Sequence, residues 1–114
     1  MIAVIFEVEP AEGRRDDYLE IAGELRPLLD GIDGFISIER FQSLADQARL
    51  VSLSFWRDEA AVAQWRNTAE HRAAQQAGRG GILCDYRLRI AHVVRDYGMT
   101  TREEAPADSR AVNG

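Results

Sequence analysis

The sequence contains no lysine, a single cysteine and only three prolines. One cysteine, Cys84, excludes an internal disulfide framework and any zinc site built from several cysteines. The formal net charge of −5 argues against nucleic-acid binding, which requires a basic patch. No apolar run approaches the roughly 18 residues of a membrane-spanning helix. All 14 basic residues are therefore arginines, which are permanently charged planar groups that suit carboxylates and aromatic faces.

The chain length and its apolar content favour one globular domain. Its 114 residues, 46% of them hydrophobic, can build a core without metals or disulfides. The segment 1–8 has neither the basic lead nor the length of a secretory signal, so we expect a cytoplasmic protein. We expect residues 1–97 to form the fold. The polar segment 98–114 is then a flexible tail or an arm that docks on a partner subunit.

Hydrophobic periodicity predicts four strands and three helices. Strands are predicted over 2–8, 35–42, 49–56 and 82–94. Helices are predicted over 14–29, 58–66 and 70–77. In the second strand, unbroken alternation places Phe35 on the same face as Phe41, with Ile38 and Arg40 on the other face.

The order of these elements is typical of a ferredoxin-like α+β domain. Strand, helix, strand, strand, helix pair, strand is the split βαβ pattern, which builds a four-stranded antiparallel sheet with helices on one face. The other face would then expose an apolar patch of several hundred Å², and such patches mark interfaces. We therefore expect a homodimer that packs sheet against sheet through the open face.

The stretch 55–80 is the most specific part of the chain. It reads FWRDEAAVAQWRNTAEHRAAQQAGRG, with an aromatic–Trp pair, an acidic helix start, a Trp followed by Glu-His, and an Ala-Gly-Arg turn. Together with the dipeptides at 34–35 (Gly-Phe) and 85–86 (Asp-Tyr), it resembles the antibiotic biosynthesis monooxygenase family, which includes small haem-degrading monooxygenases. The resemblance covers residues 1–97.

The resemblance implies a dimeric α+β barrel in which each subunit keeps a pocket between its sheet and its helices. In quinone-forming members, O2 oxidises a polyphenolic substrate without metal or flavin. The resemblance thus implies a cofactor-independent monooxygenase of a small aromatic or polyketide-like molecule, and the charge and the apolar runs described above lead us to expect no nucleic-acid or membrane partner. An alternative is a non-catalytic, dimeric ligand-binding or stress-response protein, because the sequence has no recognisable catalytic trio.

Haem is the other cofactor that the resemblance raises. In haem-degrading members, a His ligates the iron, while an Asn of the first strand and a Trp shape the opposite side. Here the Asn position holds Glu7 and the ligand position holds Gln75, so only Trp65 matches. His71 is offset from the ligand position by about one helical turn. Haem binding or haem degradation therefore stands as the alternative function.

His71 and Asn67 are the candidate catalytic residues. His71 can act as a general base near neutral pH, or it can bond a backbone carbonyl in a purely structural role. Asn67 can hold a phenolate oxygen through its amide N–H groups, or it can cap a helix, as Thr68 also can. No set of residues has the spacing of a metal site.

Four further residues are candidates for substrate binding. Trp65 can wall an aromatic pocket or belong to the core. Trp56, at a strand end, is either a pocket wall or a dimer contact. Tyr86 lies in the last strand. Arg79, in a glycine-flanked turn, can bind an anionic substrate, or it can be solvated or form an ion pair with a partner subunit.

Two structural expectations concern the last strand. We expect Arg87 and Arg89 to pair with carboxylates such as Glu39. We also expect Cys84, which has the parity of the apolar residues, to be a buried small hydrophobe.

Overall fold

Four strands and four α-helices make up the computed structural model, which describes residues 1–114. The strands are β1 (Ile2–Pro10), β2 (Phe35–Gln42), β3 (Leu50–Trp56) and β4 (Leu83–His92). The helices are α1 (Arg15–Leu29), α2 (Glu59–Arg66), α3 (Ala69–Ala77) and α4 (Ala107–Asn113). A π-helical turn, Gly78–Ile82, joins α3 to β4. The seven elements expected from the sequence are confirmed, and none of the helices is both long and apolar enough to cross a membrane.

The four strands form one antiparallel sheet in the order β2-β3-β1-β4. This is the ferredoxin-like α+β fold that the element order predicts. Residues of α1, α2 and α3 pack on the face that carries Ile2, Val8 and Trp56. The opposite face, which we call the open face, carries half-buried apolar side chains such as those of Ile5 and Leu53.

A β-bulge near the start of β2 changes which residues share a face. The register with β3 shifts between Phe35 and Ser37, so Ile36 is an extra residue with no partner. Phe35 consequently lies on the helix-covered face, where its ring meets that of Trp56 edge-on at 5.1 Å. The prediction that Phe35 shares a face with Phe41 is wrong, because unbroken alternation cannot include an inserted residue.

The buried core consists of two separate clusters at the two ends of the helix-covered face. One cluster contains Ile2, Leu29, Trp56, Ala61 and Val62. The other contains Val8, Tyr18, Leu50 and Ile82. In the sheet register, the cross-strand rows at Val4 and Phe6 lie between these ends. The middle of the face is therefore not filled by the core.

One expectation for β4 is wrong and a second holds only in part. Cys84 is exposed rather than buried, because a register shift between β1 and β4 pairs Asp85 and Leu83 with β1 and leaves Cys84 without a partner. Arg89 pairs with Glu7 of the adjacent β1, with a distance of 3.1 Å between Nη1 and Oε1. Glu39 lies on β2 at the opposite edge of the sheet, out of reach of β4, and neither it nor Arg87 forms an ion pair.

The segment after residue 97 contains a short helix, α4, that is held by its own hydrogen bonds. Arg102 donates to the carbonyls of Gly98 and Gly114, and Arg110 donates to those of Arg102 and Glu103. Ala105 is buried. The boundary at residue 97, and the choice between a flexible tail and a docking arm, stay predictions.

Candidate functional site

A cavity of about 620 Å³ occupies the unfilled middle of the helix-covered face. Its floor includes Val4 and Phe6 of β1 and Ser52 and Ser54 of β3. Residues of α1, α2, α3 and the π-helical turn form its roof, and most of the lining is apolar. A volume of this size lies in the range of small-molecule sites, roughly 300–1,000 Å³. The split core thus leaves room for a ligand between sheet and helices.

Trp65 and His71 stand next to each other in the roof. Trp65 lies in the last turn of α2, and the Thr68 side chain caps α3 by accepting from the backbone N–H of His71. The short α2–α3 junction therefore brings the two rings to a centroid distance of 5.1 Å. Both side chains are half-buried and line the cavity. The Nδ1 atom of His71 is buried and has no hydrogen-bond partner.

The environment of His71 favours the neutral imidazole. Burial lowers the pKa of His71 below its ordinary value of 6.5, the backbone carbonyl of Arg66 acts in the opposite direction, and the Arg72 and Arg66 charges lower it further. His71 is therefore mainly neutral at pH 7 and can accept a proton or a hydrogen bond.

Asn67 lies outside the cavity lining. Its amide nitrogen donates to the Ala63 carbonyl at 2.9 Å, and its amide oxygen accepts from Arg72. It ends α2, whereas Thr68 caps α3. The structure therefore does not bring Asn67 to the cavity together with His71.

The other three predicted binding residues all line the cavity, in different ways. Trp56 is only 2% exposed, and its indole N–H donates to the Ser54 hydroxyl at 2.9 Å, so it is a wall on the helix-covered face. Tyr86 is 47% exposed at the β4 rim, where its ring lies 5.7 Å from that of Phe6. Arg79 is exposed and reaches the cavity from the π-helical turn.

Arg40 is the residue that the sequence-based search missed. It lies on β2 opposite Ser52, on the cavity floor, and its Nε atom is buried without a hydrogen-bond partner. Arg40 Nε and His71 Nδ1 are the two side-chain atoms in the protein with this property, and both belong to the same cavity. The sequence did contain one signal for Arg40: it is a single charged residue on the same face of the predicted strand as the apolar Ile38.

The charged residues of the lining all have the same sign. No Asp or Glu lines the cavity, although the protein as a whole has a net charge of −5. The arginines of the lining are Arg40, Arg66, Arg72 and Arg79. None of them forms an ion pair; the six ion pairs of the protein lie elsewhere. The cavity is therefore electropositive.

The residues around the cavity do not fit the haem pattern. Gln75 lines the cavity at the position where haem-degrading members have their ligand His, and an amide is not an iron ligand of that kind. Glu7 faces the open side of the sheet, where it pairs with Arg49 and Arg89. No group of three or more His, Cys, Asp or Glu side chains is arranged to hold a metal ion.

Comparison with known sequences identifies one family and two similar proteins. The family profile "Antibiotic biosynthesis monooxygenase" matches residues 1–77. Jasmonate monooxygenase ABM of Pyricularia oryzae is 52% identical over 93 residues, which are 82% of this chain and 43% of that protein. The chain thus spans less than half the length of that fungal relative. The uncharacterized protein YqjZ of Bacillus subtilis is 33% identical over 93 residues, which are 82% of this chain and 79% of YqjZ.

Solved structures show the same fold at low sequence identity. Rv0793 from Mycobacterium tuberculosis has a TM-score of 0.75 and 17% identity, and the match covers 85% of this chain and 98% of that one. PA3566 from Pseudomonas aeruginosa has a TM-score of 0.72 and 16% identity, covering 82% of this chain and 93% of that one.

Proposed function

Because the chain belongs to the antibiotic biosynthesis monooxygenase family, we propose that it is a cofactor-independent monooxygenase of a small aromatic, polyphenolic or polyketide-like molecule. The substrate and O2 react in the cavity between sheet and helices. The observation that carries the proposal is the His71–Trp65 pair, whose two half-buried rings lie side by side in the lining of an apolar cavity.

His71 acts as the general base in this proposal. Its neutral imidazole accepts the proton of a phenolic hydroxyl, and the phenolate that forms is a much better electron donor to O2 than the phenol. The Trp65 ring packs against the substrate ring and fixes its orientation. The apolar walls exclude water, which keeps the anion reactive.

The reaction balances without an added reductant. A phenol loses the hydrogen of its hydroxyl and one hydrogen from a ring carbon. Four electrons pass from the substrate to O2. One oxygen atom becomes the new quinone carbonyl, and the other leaves as water with the two hydrogens. The electrons come from the substrate itself, so the chain's residues need only bind, orient and deprotonate it.

The test is O2 uptake with a panel of hydroxynaphthalenes and quinols. We expect at least one member to be oxidised, and His71→Ala to lower the rate about 100-fold or more, as removal of a general base does. His92→Ala is the matched control, because His92 is the other histidine and does not line the cavity. Uptake that never exceeds that of His71→Ala would contradict the proposal.

The proposal includes a homodimer that forms through the open face. Half-buried apolar side chains, among them Ile5, Leu53 and Phe55, lie on this face next to the Glu7 ion pairs. Apolar surface of this kind is stabilised by burial against a second copy. Light scattering tests it: we expect a dimer for the wild type and a monomer for Leu53→Glu, whereas a monomeric wild type would refute it.

Two alternatives are separated by cheap measurements. Haem binding predicts a saturable one-to-one change in the Soret band on titration with haemin. We expect none, because Gln75 replaces the ligand His and Glu7 lies on the open face. A non-catalytic ligand-binding protein predicts tight binding of an aromatic ligand with no O2 uptake by the wild type.

A further inference from the structure

We propose that the cavity is specific for substrates with a carboxylate and that Arg40 binds that carboxylate. The inference rests on the proposed function because it assigns a substrate class to the same cavity. It adds a specificity-determining residue, Arg40, which neither the family resemblance nor the relatives assign.

Arg40 has the features of a binding group that lacks its ligand. Its Nε atom is buried with no hydrogen-bond partner, and its guanidinium forms no ion pair. Leaving a buried donor unpaired is unfavourable, and more so when the donor is charged. An anion bound at the terminal guanidinium nitrogens would compensate the charge. The guanidinium offers parallel N–H donors that match the two oxygens of a carboxylate.

The rest of the lining agrees with an anionic ligand. Three further arginines border the cavity and no acidic side chain does, in a protein whose acids outnumber its bases. Positive groups gathered in a cleft with apolar walls raise the local concentration of anions. Arg72 hydrogen-bonds only the neutral Asn67 oxygen, so its charge is also not compensated. Glu7 pairs with Arg49 and Arg89 on the open face, so its carboxylate does not neutralise the arginines of the cavity.

The floor around Arg40 defines the remainder of the ligand. The Ser52 hydroxyl lies opposite Arg40 in the register and supplies a second donor. Val4, Phe6 and Ile38 surround these polar groups with apolar surface. The cavity thus offers an anion site on the floor and a general base, His71, in the roof. The matching substrate is a small apolar acid whose oxidisable hydroxyl is separate from its carboxylate.

Binding under anaerobic conditions tests the assignment without turnover. The probes are 6-hydroxy-2-naphthoate and its amide, which differ mainly in charge, with jasmonate and methyl jasmonate as a second pair. Calorimetry on the wild-type protein should give an acid affinity at least about tenfold above that of the neutral analogue. Arg40→Gln should weaken acid binding by roughly 10- to 100-fold and leave amide binding within about twofold.

Two further variants separate a binding role from a structural one. Arg95→Gln removes the same charge from an exposed site outside the cavity, and we expect no change in either affinity. Arg40→Lys keeps the charge but loses the planar fork, so acid affinity should lie between those of wild type and Arg40→Gln. The melting temperature of unliganded Arg40→Gln should equal or exceed that of the wild type, since Arg40 forms no ion pair that the substitution would remove.

Equal wild-type affinity for acid and amide would overturn the proposal, and so would equal losses of acid affinity in Arg40→Gln and Arg95→Gln. If Arg40→Gln does not fold, the wild-type selectivity and the Arg40→Lys affinity decide the matter. Failure of the proposed function looks different: acids would bind through Arg40 without any O2 uptake. If neutral substrates are oxidised at the same rate by the wild type and by Arg40→Gln, the carboxylate assignment is overturned, whereas the proposed monooxygenase function stands.

Discussion

The two faces of the sheet differ in whether their charged side chains have partners. On the open face, Glu7 pairs with both Arg49 and Arg89 at 3.1 Å, and all three side chains remain partly exposed. On the cavity face, Arg40 has no partner although its Nε is buried. Glu7 on the open face is therefore paired within the chain. The cavity face is complete only with a ligand, which is why we place the chemistry there.

The largest expected effect comes from the two aromatic neighbours at the end of β3. Trp56 is fully buried in the core cluster that ends the cavity, whereas Phe55 is half-buried on the open face. Trp56→Ala should lower the free energy of unfolding by about 3–5 kcal/mol. Phe55→Ala should cost clearly less in the monomer and should instead weaken the dimer. Urea denaturation at two protein concentrations measures both effects; equal, concentration-independent losses would contradict the comparison.

Filling the cavity should raise the stability of the protein and lower its affinity for the ligand. Ser52→Val places extra methyl groups on the cavity floor, where they meet apolar neighbours such as Phe6. We expect the free energy of unfolding to rise by about 1 kcal/mol, as cavity-filling changes do. Ligand affinity should fall, because the volume and one hydroxyl donor are lost. Melting temperature and calorimetry check this prediction, and a destabilised variant that still binds ligand would contradict it.

Removing a charge should lower the free energy of unfolding on the open face but not on the cavity face. Glu7→Gln breaks two surface ion pairs and should lower the free energy of unfolding by about 0.5–1 kcal/mol, an effect that salt reduces. Arg40→Gln should have no cost in the unliganded protein. Denaturation of both variants at low and high salt makes the comparison, and a large loss in Arg40→Gln would show that its charge serves the fold.

The smallest expected effect is a pH dependence that originates at His71. Its folded-state pKa lies below its unfolded value, so the unfolded chain binds the proton first as the pH falls. Its contribution to stability is complete above about pH 6.5 and is lost as the pH decreases below that value. His71→Gln should flatten the stability profile between pH 7 and 5, while His92→Gln should not. Identical profiles for the two variants would contradict the burial of His71.

The fold was largely predictable because its signals are local. Alternation in β3 and helical spacing in α1 each depend on a few neighbouring residues, and the structure has both elements as predicted. The bulge at Ile36 has no comparable local signature, so Phe35 was assigned to the wrong face, whereas Ile38 and Arg40 share a face as predicted. The exposure of Cys84 follows from a second bulge, between β1 and β4, and the partner of Arg89 depends on strand order.

The site was predictable only in part, because a cavity is a property of packing. Trp65 and His71 were identifiable from the family motif, and the structure places their rings side by side. Asn67 belongs to the same motif, yet it faces outwards because its amide bonds Ala63 and Arg72. Arg40 lies far from the motif in sequence. Its importance depends on the absence of any carboxylate around it, which becomes visible only in three dimensions.

The most direct test of the account compares one charge from each face in the same binding experiment. Calorimetry with 6-hydroxy-2-naphthoate should give a roughly 10- to 100-fold weaker affinity for Arg40→Gln and a change within about twofold for Glu7→Gln. This result would assign ligand binding to the cavity face. Equal affinities for the two variants and the wild type would contradict the account.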